Sequence, residues 1–117
     1  DNEELYESLI NNTSITTLDL TSSNESIEHY NLFINFIVKL IQENKTVRVL
    51  KLYNIGFAET SLELISNAIL DNSSLTFIGF NVTFSPTLNT LIRTMPHITS
   101  PVVIDLGNSR NDNQALI

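Results

Sequence analysis

Residues 44–70 read NKTVRVLKLYNIGFAETSLELISNAIL, and their reading decides the fold. Val47, Leu50 and Leu52 stand at the spacing apolar-x-x-apolar-x-apolar, which is a short strand whose alternate side chains enter one core. Thr60 with Glu63 forms a capping box, and Leu62, Ile65, Ala68 and Ile69 then recur at helical spacing as an apolar stripe. A single strand followed by a single helix cannot close a core. Each needs a copy of itself alongside, so the flanking sequence should hold copies.

It holds them in altered form. Upstream, Ile15, Leu18 and Leu20 supply a strand. Ser22 and Glu25 offer a capping box, and Ile27, Tyr30, Phe33, Ile34, Ile37, Leu40 and Ile41 give the strongest helical stripe of the chain. Before them, residues 1–12 carry Leu5, Leu9 and Ile10 on one helical face. They form a helix without its strand, which is either a cap over the first strand or the tail of a truncated unit. Glu3, Glu4 and Glu7 make its solvated side. Downstream, Leu75, Ile78 and Phe80 form a strand, and Ser85-Pro86 is an N-cap followed by proline at the first helical position. Leu88, Leu91, Ile92 and Met95 complete that helix, which Pro96 stops. Residues 95–101 are irregular, with Pro101 at an apolar strand position, before Val102, Ile104 and Leu106 alternate as a last strand. Residues 108–117 are polar and loose, with the beginning of a helix at 115–117.

Three blocks, NNTSITTLDL, NKTVRVLKL and NSSLTFIGF, share an N-x-[ST]-apolar entry into the strand, and each follows an amphipathic segment. The last apolar strand positions Leu20, Leu52, Phe80 and Leu106 follow one another at 32, 28 and 26 residues. The pattern resembles the ribonuclease-inhibitor-like class of leucine-rich repeat proteins in degenerate form. That resemblance implies an α/β fold: a leucine-rich repeat solenoid arc, with a short parallel sheet on the concave side and helices on the convex side. It implies one domain over residues 1–117, which we expect to be a fragment of a longer chain because Asp1 stands in place of Met. The asparagine ladder of the class falls on Ser23, Ile55, Thr83 and Ser109, so the turn at Ile55 must differ or shift its polar role to Asn54. A doubly wound sheet is disfavoured, because its strands would read as continuous apolar runs.

Composition excludes several classes of partner. The net charge of -7 argues against nucleic acid and anionic membrane surfaces, which reward basic faces. No apolar run is long enough to span a bilayer. The absence of cysteine points to a reducing, cytoplasmic setting.

Catalytic chemistry finds no support in the residue pattern. His29 and His97 are the two histidines, and neither has a metal-type neighbour, so both read as surface or turn residues. Gly56 and Gly79 form no phosphate loop, and no serine sits in a nucleophile elbow. We expect no enzyme activity, cofactor or metal. Sequons at Asn11, Asn12, Asn24, Asn44, Asn72 and Asn81 belong to the strand lead-ins rather than to glycosylation. Glu59 and Glu63 read as solvated residues of an outer helix face.

The residues between the core positions of the strands define the surface of interest. Stacked in register, they form three rows: Thr17, Val49, Phe77, Val103; Asp19, Lys51, Gly79, Asp105; and Thr21, Tyr53, Asn81, Gly107. Val49, Lys51, Tyr53, Phe77, Asn81, Val103 and Asp105 are the candidate contacts for a protein partner, with Val49, Phe77, Val103 and Tyr53 forming an apolar stripe. The alternative is that such residues merely suit a sheet surface, with Asp19 and Lys51 a local cross-strand pair. The functional expectation is a protein-interaction module, within a larger protein or within an effector of an intracellular bacterium. The resemblance extends to the Ran GTPase-activating proteins, which keeps a regulator of GTP hydrolysis as the competitor, with Asn54, Asn81 and Asn108 at its rim. A purely structural segment would instead self-associate through its edge strands at residues 15–20 or 102–106.

Overall fold

The computed structural model describes residues 2–20, 29–53, 55–71, 74–81, 85–94 and 102–107. The elements in order are α1 (Asn2–Ile10), β1 (Thr17–Asp19), α2 (Tyr30–Glu43), β2 (Val49–Leu52), α3 (Glu59–Asp71), β3 (Phe77–Phe80), α4 (Pro86–Thr94) and β4 (Val103–Asp105). The four strands form one parallel sheet in chain order, β1-β2-β3-β4. The fold is therefore α/β, with each strand joined to the next through a helix. Several sequence features lie outside the described residues: the Ser22–Glu25 box, Thr21, Asn24, Asn54, Asn72, Thr83, residues 95–101 with His97, and residues 108–117.

The core forms where the helical stripes meet one face of the sheet. Leu50, Leu52, Ile78 and Phe80 are fully buried beneath Ile37, Leu40, Ile65, Leu88 and Leu91. Truncating Leu50 or Ile78 to Ala would cost about 2–5 kcal/mol by lost transfer energy and a residual cavity. Ile55 also enters the core, at 7% exposure. Its side chain thus serves packing, and the turn after β2 makes no use of a polar group at that position.

Four expectations are corrected. Leu5 is 55% exposed; α1 packs instead through Tyr6, which stacks on Phe36 of α2 at 4.1 Å between ring centroids, and through Leu9 and Ile10. Ile92 is 39% exposed, because Leu88 and Leu91 already fill the inner side of the short helix α4. Thr60 does not cap α3, which begins one residue earlier at Glu59. The start of α3 is held by Tyr30, whose hydroxyl accepts the Ala58 N–H at 2.9 Å and donates to the buried Ser61 Oγ at 2.8 Å. Glu59 is likewise not merely solvated. Its Oε2 accepts the Ser85 hydroxyl at 2.8 Å and the Thr87 N–H at 2.9 Å, while Ser85 Oγ accepts the Leu88 N–H as the N-cap of α4. The first residues of α2 and α3 thus each reach forward to the start of the next helix.

The asparagine lead-in has a structural basis. Asn44 is 3% exposed, yet its side-chain amide is bonded on both ends. Nδ2 donates to the carbonyls of Leu9, Ile10 and Asn12 at 3.2, 3.1 and 2.9 Å, which lie at and just beyond the end of α1, where carbonyls lose their intrahelical donors. Oδ1 accepts the Thr46 and Val47 amides, both at 2.8 Å. Asn12 repeats half of this arrangement, its Oδ1 accepting the Ser14 and Ile15 amides at 2.7 Å.

Candidate interaction surface on the open face of the sheet

Side chains alternate along a strand, so the face opposite the core is built from every second residue. The register aligns Thr17 with Val49, Val49 with Phe77, and Phe77 with Val103; it likewise aligns Asp19, Lys51, Gly79 and Asp105. Two of the three expected rows therefore exist as read. In the third, Thr21 lies outside the described residues, and Tyr53, Asn81 and Gly107 follow directly after their strands. Val103 is 61% exposed and Val49 and Phe77 are half-buried, which makes a row of apolar side chains open to solvent on this face.

Tyr53 does not stand upright beside them. Its ring lies across Gly79 of β3, where an added Cβ would collide with the ring, and its hydroxyl donates to Asp105 Oδ2 of β4 at 2.5 Å. Gly79 is buried on an otherwise open face because the ring covers it. Asp105 is fixed from its other oxygen as well, Oδ1 accepting the Gly107 N–H at 3.1 Å. Gly107 has φ +75°, and a side chain there would meet Asn81 and the Phe80 carbonyl, so the turn that orients Asp105 needs glycine. Burial, the hydrogen bond to Asp105 and the negative charges of Asp105 and Asp19 push the Tyr53 phenol up to about 12. All of these act in one direction, against a phenolate.

Asp19 and Lys51 face each other across β1 and β2, as a cross-strand pair should. Of the three rim asparagines only Asn81 lies among the described residues. His29, exposed, precedes α2 without a side-chain cap bond. Among the described residues no group of His, Cys, Asp and Glu could hold a metal, and no helix is long and apolar enough to cross a membrane.

The seven candidate residues thus share one face, and the structure joins Tyr53 to Asp105 directly. Sequence reading placed both in their rows but missed the bond and the part of Gly79 in it. The signal was present: Gly79, a strand position on this face without a side chain, lies diagonally beside Tyr53, the aromatic that follows β2.

No protein-family model matches the chain, and no curated protein matches it in sequence. Among solved structures, the fold is similar to that of leiomodin-1 actin-binding site 2, with a TM-score of 0.58 and 14% identity over 97% of this chain and 92% of that one. At that identity the likeness is one of fold.

Proposed function

We propose that this chain is a protein-interaction module: a degenerate leucine-rich repeat arc of the ribonuclease-inhibitor-like class that offers the open, concave face of its sheet to a protein partner in a reducing cytosol. The observation that carries the reading is the solvent-open row Val49, Phe77 and Val103 beside a tyrosine already locked in place. Apolar side chains that do not fill the core and stay partly open to solvent leave area for a partner, and a pre-ordered aromatic adds area without a further ordering cost. A fold neighbour whose name assigns it an actin-binding site supports the same class of role.

The test is affinity capture from eukaryotic lysate and with purified actin, comparing the native chain with a triple variant, Val49→Glu, Tyr53→Ala and Phe77→Glu, after circular dichroism shows both folded. A partner held by the first and lost by the second is the expected result. Equal capture by both, or none, removes the open face as the interaction surface. GTP hydrolysis by a panel of small GTPases is expected to be unchanged by the chain, which separates this reading from a turnover regulator.

A further inference from the structure

The open face has a chemical preference as well as area. One side of the Tyr53 ring rests on Gly79, and the side chain remains partly exposed. The Tyr53 hydroxyl fixes one oxygen of Asp105 and the Gly107 amide fixes the other, so neither group must be ordered when a partner arrives. Asp19 lies close enough for its charge to act on the same phenol. An aromatic face flanked by carboxylates attracts a cation through both the ring quadrupole and the charge. In the row Asp19, Lys51, Gly79, Asp105 two carboxylates stand against one ammonium, and the whole chain carries -7. The face therefore repels an acidic partner and draws a basic one.

Resting on the interaction reading of this face, we propose that the partner is a protein segment presenting an arginine between apolar residues, with the guanidinium stacked on the outer side of the Tyr53 ring beside Asp105 and the apolar residues on Val49, Phe77 and Val103. Arginine suits the site better than lysine. Its planar fork stacks on an aromatic face while its edge still donates to a carboxylate. Lys51 works against the contact by offsetting part of the negative charge.

The experiment is selection of phage-displayed random peptides of about a dozen residues on the intact chain, followed by affinity measurements on variants. The expected peptides carry an arginine flanked by apolar residues and lose binding to Val103→Glu. Tyr53→Leu weakens them about tenfold, the scale of a desolvated cation–π contact, while Tyr53→Phe, which keeps the ring, weakens them less. Asp19→Asn, a near-isosteric change at an exposed position, weakens them and raised salt does the same; Lys51→Ala tightens them. Peptides that lose binding to Val103→Glu but show no arginine enrichment, or arginine peptides indifferent to Tyr53→Leu and Asp19→Asn, overturn the arginine site and leave the interaction reading standing. A selection yielding nothing, or only peptides indifferent to Val103→Glu, overturns both.

Discussion

Tyr53 occupies the space that a side chain at position 79 would need. The ring crosses β3 at Gly79 to reach Asp105 on β4, so three strands share one arrangement on the open face. In the Gly79→Ala variant the new methyl group meets the ring, which must leave or push the strand. We expect a loss of about 1–3 kcal/mol, as for other overpacked sites, and a much smaller loss when the change is made in a Tyr53→Ala background. Urea unfolding of the four species in that double-mutant cycle measures the coupling.

Tyr53→Phe keeps the ring and removes the donor to Asp105. The expected cost is about 1 kcal/mol, since Asp105 stays exposed enough to recruit water and retains the Gly107 amide. The same variant reports on alkaline stability. The phenol is pushed from 10.0 up to about 12 in the folded chain, so its contribution is fully present below pH 10 and is lost as pH rises towards 12. Ultraviolet titration of the native protein should show a late phenolate step near pH 12 that Tyr53→Phe lacks; a native protein without that step would contradict the bond.

The cap that Glu59 provides for α4 makes folding acid-sensitive. Hydrogen bonds from Thr87, first its side chain and then its backbone, with a further one from Ser85, hold the Glu59 carboxyl below its usual 4.5. A depressed carboxyl contributes stability above its unfolded value and loses it as pH falls through the folded one. The native chain should therefore lose stability more steeply below pH 4.5 than Glu59→Gln, a difference readable in urea midpoints measured across that range.

Asn44→Ala would remove the side-chain donor shared by the Leu9, Ile10 and Asn12 carbonyls and the acceptor of the Thr46 and Val47 amides at once. For a site 3% exposed we expect about 2–4 kcal/mol, the cost of several unmet backbone groups. Hydrogen exchange should locate the damage, with α1 amides exchanging faster while those of α4 hold.

Much of this was legible in the chain alone. Alternation at Leu50–Leu52, Ile78–Phe80 and Val102–Ile104 marks the strands, and aligning the last apolar position of each marks the register, because a slip by one residue would turn every apolar side chain away from the helices. Helix starts are less legible. Thr60 looked like a cap because local capping rules see only neighbours in sequence, whereas α3 is capped by Tyr30, 28 residues earlier. Glu59 reads as merely solvated for the same reason, its partners lying 26 and 28 residues away. Spacing puts Leu5 on one face with Leu9 and Ile10, but it is Tyr6 that stacks on Phe36, and Leu5 stays 55% exposed. The candidate surface followed from the rows; the Tyr53–Asp105 bond did not, since it runs diagonally across strands and depends on what is missing at residue 79.

The strand order β1-β2-β3-β4 carries a kinetic meaning. Each strand pairs with the next one in the chain, and the packed helices are likewise successive. The largest loop that must close before any pairing is therefore one strand–helix unit, not the length of the protein. Loop-closure entropy grows only slowly with separation, so the folding barrier is set by one such pairing and growth from it proceeds stepwise. Two fronts then remain where structure is gained or lost, at β1 and at β4, and opening should begin there while β2 and β3 exchange last.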